Sequence, residues 1–298
     1  MSIICFKYGS MSKRPFVIFA AITLGCIPYM VSCQKQEKAL PLLPDKQQPD
    51  TGKYSLVFED DFSGNLDKWN IWTGGAYNDE LQCYREDNLK LQNGMLAINA
   101  RKEKVTGPEI PGSADSKSFN YTSGRIESKF EFSPALYPNG IRISAGIKLA
   151  PGYGMWPAFW TYGEPWPTHG EIDILEATGD GQSYTTDYFY GKKPGKVQTN
   201  DDLTVKTIVS TTNLTKDAHL YEVEWTQNSL TYYLDGKVVD RKLSTDPGGE
   251  YIPSFYNQLQ HVALNLAVGG NMFGPDFDPS RIETGSMYVD WVRVYKIR

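Results

Sequence analysis

A chain of 298 residues with net charge −5, 40% hydrophobic and 22% charged, is long enough to bury a large core. Acids and bases are interspersed, which argues against a nucleic acid or an anionic membrane surface as partner. The 19 Tyr and 7 Trp suit sugar stacking and a β core equally well, so composition does not separate those two.

Met11-Ser-Lys-Arg-Pro-Phe16 is basic, and the run from Phe16 to Val31 is apolar and uncharged. That run is shorter than a spanning helix needs, and it predicts a signal peptide over residues 1–33, with Met11 a second candidate start. Tyr29-Met-Val-Ser-Cys33, followed at once by Gln34-Lys-Gln-Glu, resembles a bacterial lipoprotein cleavage site with Cys33 as the acylated residue. Leu24-Gly-Cys26 competes less well because it lies inside the apolar run, and an ordinary secretory signal is the alternative. The expected location is the cell envelope, lipid-anchored, or the exterior, with the membrane touched only through the lipid. Residues 34–52, rich in Lys, Gln and Pro, read as a flexible tether. Cys5, Cys26 and Cys33 fall in the leader, leaving Cys83 alone in the domain over residues 53–298. Neither an intradomain disulfide nor a cysteine metal site is then expected, and Cys83 reads as a packed thiol.

From Tyr54 onward, short alternating segments are separated by turn signals, without helical periodicity, internal repeat or second domain. Asn93-Gly94 and Asp235-Gly236 each lie between two strand-like runs and supply the positive φ of type I′ hairpins. Tyr221, Val223 and Trp225 alternate with Glu222 and Glu224, the pattern of a half-buried strand. The expected class is all-β, a sandwich of two antiparallel sheets.

Gly170-Glu-Ile-Asp-Ile-Leu-Glu176 places three carboxylates within six residues. On a strand, Glu171 and Asp173 share a face, whereas Glu176 points the other way unless a β-bulge adds one residue. Ile172 and Ile174 would anchor the strand in a core. Acids gathered on one face cost desolvation and repulsion. A solvated face and a hard-cation site are the competing accounts; a pair of carboxylates for glycoside hydrolysis fits best.

Glu171-Ile-Asp-Ile-Leu-Glu176 resembles the bulged active-site signature of glycoside hydrolase family 16, the form of its laminarinase-like and agarase-like branches. Phe58-Glu-Asp-Asp-Phe62, Asn78-Asp-Glu-Leu-Gln82 and Thr122-Ser-Gly-Arg-Ile126 agree in order. So do Gly154-Met-Trp-Pro-Ala-Phe-Trp160, Leu264-Asn-Leu-Ala-Val-Gly-Gly-Asn271 and Met287-Tyr-Val-Asp-Trp-Val-Arg-Val-Tyr295. The similarity covers about residues 54–296 and implies a β-jelly roll whose concave sheet forms a substrate cleft. It also implies a retaining endo-hydrolase of 1,3-β-glucan or mixed-linkage β-glucan. A marine galactan such as agar or porphyran is the alternative substrate, and a non-catalytic glucan-binding protein the alternative class. Carried over position by position, Glu171 is the nucleophile, Glu176 the general acid/base, and Asp173 the residue that tunes both. Trp156, Trp160, Asn78, Glu80, Arg125 and Asn271 match positions that line the cleft, with Trp160 the better candidate to lie against the sugar. His169 reads as a structural neighbour. No cofactor for catalysis is implied, but a structural Ca²⁺ is, at Asp61, the Gly94 carbonyl and Asp290. A monomer is expected.

Three departures from the family pattern bear on specificity. Ala76-Tyr77 stands where Trp is frequent, Phe189 where a His is common, and Met272-Phe273 where Trp often follows Gly-Gly-Asn.

Overall fold

The structure is a computed structural model, and it describes residues 52–298. The predicted leader, Cys33 and nearly all of the tether lie outside the described residues.

Strands occupy most of the chain. The first nine are β1 (Tyr54–Asp60), β2 (Trp69–Ile71), β3 (Gln82–Tyr84), β4 (Leu89–Gln92), β5 (Met95–Asn99), β6 (Arg101–Pro108), β7 (Ser116–Ser123), β8 (Arg125–Phe132) and β9 (Ile141–Lys148). There follow β10 (Met155–Tyr162), β11 (Glu171–Glu176), β12 (Ser183–Phe189), β13 (Lys206–Val209), β14 (His219–Thr226) and β15 (Ser229–Leu234). The last are β16 (Lys237–Leu243), β17 (Gln260–Val268) and β18 (Ser286–Ile297). The α-helices are single turns, α1 (Asp201–Thr204) and α2 (Ile252–Phe255).

Two large antiparallel sheets form the sandwich. The front sheet runs β13-β12-β11-β10-β17-β8-β2, and the back sheet runs β16-β15-β14-β9-β18-β5-β4 with β1 added against β18. A small sheet, β3-β7-β6, stands apart, and its β3–β7 pairing is parallel. The facing sides of the two large sheets meet in one apolar cluster. Phe159, Ile172, Leu264 and Ile126 come from the front, and Ile143, Val223, Trp225 and Val292 from the back, all of them inaccessible to solvent. The cluster forms because apolar side chains recur at alternate positions along the central strands, so pairing in register gathers those side chains on one face. Both predicted hairpins are present: Asn93 and Gly94 have φ of 54° and 71°, Asp235 and Gly236 of 50° and 74°.

The outward face of β14 is not the solvated surface that alternation suggests. Glu222 is 2% exposed and takes hydrogen bonds from Arg142 Nε and Ser144 Oγ at 2.9 Å each. A second guanidinium nitrogen of Arg142 also bonds Glu222, and its third reaches Tyr54 Oη at 2.8 Å and Glu224 at 3.1 Å. Removing Arg142 would strand a buried carboxylate, a loss of about 3–5 kcal/mol.

The three residues expected around calcium lie at strand ends and gaps near the middle of β18. Along one side of β18, β5 pairs as far as Val289↔Leu96, and β1 takes over at Val292↔Asp60. Asp290 falls in the gap, at a β-bulge between Val289 and Trp291 in the β18–β9 ladder. Gly94 closes the hairpin just before β5, and Asp61 follows the last residue of β1. Among the described residues, no group of three or more His, Cys, Asp or Glu side chains is placed to hold a metal ion. Any cation here would therefore rest on the two aspartates and main-chain oxygen. Asp290 is only 7% exposed.

Candidate active site

The outer face of the front sheet carries the chemistry. In the β10–β11 ladder, Tyr162 faces Glu171, Trp160 faces Asp173, and Ala158 faces Glu176. The register shifts there, with Phe159 opposite Leu175 and Trp160 opposite Asp173, so Ile174 is the extra residue. The β11–β12 ladder shifts at the same place. The bulge expected from the spacing therefore exists, and it returns Glu176 to the face of Glu171 and Asp173. Ile172 and Ile174 are 0% and 1% exposed, anchoring the strand from behind.

Each outer glutamate is held by an indole. Trp166 Nε1 donates to Glu171 Oε2 at 2.6 Å, and Trp156 Nε1 donates to Glu176 Oε1 at 3.0 Å. Burial raises all three acids. Glu171 is pushed up to about 7, with the Trp166 hydrogen bond and the Arg125 charge pulling the other way. Glu176 is pushed up to about 8 by burial and by the charge of Glu171. Asp173, 2% exposed between two like charges, is raised well above the usual carboxylate range and hydrogen-bonds Glu171. Glu171 therefore ionises before Glu176, and the pair is poised with one anion and one proton donor near neutral pH.

Aromatic and polar walls continue outward on the same face. Trp160 is half-buried, stacks on Tyr162 at 4.8 Å between ring centres, and donates from Nε1 to Asn265 Oδ1 at 2.7 Å. The Arg125 guanidinium lies 4.8 Å from the Trp160 ring and 3.9 Å from Trp72, and is clamped by Glu127 through Nε at 2.9 Å and Nη2 at 2.7 Å. Glu80 accepts from Gln82 Nε2 at 2.6 Å and Tyr84 Oη at 3.0 Å, and Tyr84 in turn accepts from Asn265 Nδ2 at 3.1 Å. Glu80 is thus tied to Trp160 through two side chains, and burial raises its carboxyl as well.

Asn78 and Asn271 belong to two loops that meet. The Asn271 amide donates to the Asn78 carbonyl at 2.8 Å. Gly270, at φ 99°, permits that approach: a Cβ there would come within 2.9 Å of the Asn78 carbonyl oxygen and 3.1 Å of the Trp156 ring. All six cleft-lining positions expected from the sequence therefore border the carboxylate face or its end loops. Trp156, 8% exposed, is more an orienting group for Glu176 than an open platform. The His169 carbonyl accepts from Gln260 Nε2 at 2.8 Å. Cys83 is free and buried.

Trp166 and Asp187 were not singled out as site residues by the sequence. Trp166 lies in a Pro-flanked loop with no periodicity to point to it. Asp187 was recoverable, since Thr185, Asp187 and Phe189 alternate on the strand following the motif and face Glu176, Asp173 and Glu171 in turn. Phe189, the residue that departs from the family pattern, thus sits directly across from Glu171.

A sandwich that displays two half-buried glutamates of unequal proton affinity, beside indoles and an arginine clamp, is equipped as a glycoside hydrolase. The chain belongs to that class by descent: the profile of Glycosyl hydrolases family 16 matches residues 77–293, and the chain is a member of this family. It is 31% identical to the β-glucanase of Rhodothermus marinus over 97% of this chain and 96% of that protein. It is 30% identical to glucan endo-1,3-β-glucosidase A1 of Niallia circulans over 81% of this chain, which spans only 38% of that longer protein. The solved endo-β-1,3-glucanase of Pyrococcus furiosus superposes with a TM-score of 0.69 at 29% identity, covering 83% of this chain and 97% of the other.

Proposed function

We propose that this protein is a retaining endo-hydrolase of β-glucan, with 1,3-linked chains of the laminarin type as substrate. The observation that carries this is the bulge at Ile174, which sets Glu171 and Glu176 on one face. Glu171 attacks the anomeric carbon while Glu176 protonates the departing glycosidic oxygen. The resulting glycosyl-enzyme is hydrolysed by a water that Glu176, now the base, deprotonates. Asp173 holds Glu171 in place. The names of the Rhodothermus, Niallia and Pyrococcus relatives support glucan as the substrate class.

Digestion of laminarin, lichenan, agarose and porphyran side by side tests this, with the anomeric configuration of first products read by NMR. Release of β-configured oligosaccharides from laminarin is expected. Phe189 and Met272-Phe273 depart from the family pattern, so a galactan is the second reading, and cleavage of agarose or porphyran alone would establish it. No turnover on any of the four would point to a binding protein.

A calcium ion at Asp61, Asp290 and the Gly94 carbonyl is part of the same proposal, supported by the strand register and by the preference of hard cations for carboxylate and carbonyl oxygen. A chelator should lower the melting temperature by about 5–10 °C. A ligand at a hundred times its Kd contributes about 2.7 kcal/mol, and a domain of this size shifts about 2–4 °C per kcal/mol. An unchanged melting temperature would remove calcium from the account. From the leader sequence we further infer that Cys33 is acylated and that the domain works tethered at the cell envelope.

A further inference from the structure

The front sheet holds a fourth carboxyl that the catalytic scheme does not use. Asp187 is 3% exposed and pairs with Asp173 across the β11–β12 ladder, so both side chains leave the sheet on the same face. Two desolvated carboxyls so placed do not both ionise at neutral pH. Their surroundings decide which one keeps the proton. Asp187 Oδ1 accepts the Tyr188 amide at 2.7 Å, the Thr204 hydroxyl of α1 also bonds this carboxyl, and the Lys242 ammonium of β16 favours its anion. Asp173 Oδ2, by contrast, is buried without any hydrogen-bond partner.

We infer that Asp187 is a positioning residue: as the anion of the set it keeps the proton on Asp173, whose carboxyl then hydrogen-bonds Glu171 and orients it for attack. The role rests on Glu171 and Glu176 being the catalytic pair. The charged and titratable groups that face Asp187 are Glu171, Asp173 and Glu176 on β11, Asp240 and Lys242 on β16, Asp201 on α1, and the Tyr232 phenol of β15, which donates to the Asp187 carbonyl at 2.7 Å. Lys242 is shared with Asp240, to which it is hydrogen-bonded, so it only partly neutralises Asp187. Burial raises Asp187 to about 6, below the values of both catalytic glutamates, so it is ionised through the working range. Its negative charge raises all three acids of β11.

The test is the titration of ¹³C-labelled glutamate carboxyls by NMR, which needs no substrate, in the full-length protein and its Asp187→Asn variant. Glu171 and Glu176 should titrate about one unit lower in Asp187→Asn, the scale of one unit charge several ångströms away at an effective dielectric of about 20. Asp187→Glu restores the charge and should return both toward wild-type values. Asp187→Thr serves if Asp187→Asn does not fold. On laminarin, both limbs of the kcat/KM profile should move to lower pH by the same amount. Unmoved titrations in a folded Asp187→Asn or Asp187→Thr protein would overturn the inference, whatever happened to stability. Moved titrations in a protein that cleaves no glucan would instead uphold the role of Asp187 and overturn the glucanase proposal.

Discussion

Replacing Glu171 with alanine should lower kcat on laminarin by about 10⁴-fold or more, the scale on which loss of a covalent nucleophile is felt. The side chain is fixed from two sides, by the Trp166 indole at 2.6 Å and by the Asp173 carboxyl, and no neighbour can replace it. Asp173 is the only other acid of β11 between the two glutamates, and it is held protonated. Because the change removes a half-buried carboxyl that costs desolvation, the variant should fold at least as well as the wild type, so lost turnover is a chemical effect. Substrate binding, measured by calorimetry with laminari-oligosaccharides, should persist within a few-fold. Wild-type turnover in Glu171→Ala would sink the assignment.

Glu176→Ala separates the two halves of the reaction. On laminarin, whose leaving oxygen needs a proton, the loss should be about 10²–10⁴-fold, the usual worth of general acid catalysis. On an aryl β-glucoside oligomer with a good leaving group, formation of the glycosyl-enzyme needs no acid, so only its hydrolysis should slow. Azide, which attacks without a base, should restore turnover there and yield the β-glycosyl azide. The pH profile gives a second check. In the wild type, kcat/KM requires Glu171 ionised and Glu176 protonated, so activity should rise as pH passes about 7 and fall as it passes about 8. In Glu176→Ala the alkaline limb should vanish. Equal losses on laminarin and on the aryl glycoside, with both limbs retained, would remove Glu176 from the acid/base role.

The part of the site carried by local spacing was legible in the sequence. The extra residue before Glu176 breaks the two-residue period, and only a bulge reconciles it with three acids on one face, which is what the ladder shows. Asn93-Gly94 and Asp235-Gly236 were legible for the same reason, since few residue pairs tolerate positive φ twice in succession. What was not legible depends on partners distant in sequence. Glu222 looked like an ordinary outward acid of a half-buried strand, and nothing near it in the chain announces Arg142, 80 positions earlier. Trp166 acts on Glu171 from a loop whose course is set by packing, not by periodicity. Asp187 lay on a strand whose alternation was visible, but its importance appears only when register places it opposite Asp173. The separate small sheet was invisible for a related reason. Its β3–β7 pairing is parallel and joins strands well apart in the chain, so no turn signal connects them.

The position of β18 bears on how such a domain is made. The last strand in the described chain is not at an edge: it lies between β9 and β5 and also carries β1. Met287, Val289, Val292 and Val294 from this strand are fully buried. At about 1.5–3 kcal/mol each, those four side chains rival the whole net stability of a typical domain. Until residues 286–297 have left the ribosome, β9 and β5 are bare edges and the sandwich lacks the middle of one layer. Folding of the sandwich therefore waits until β18 has been made and then closes loops nearly as long as the domain, a topology that folds slowly. In the interval the nascent chain presents strand edges open to mispairing, and chaperone demand during expression should be set by β18 rather than by the catalytic strands.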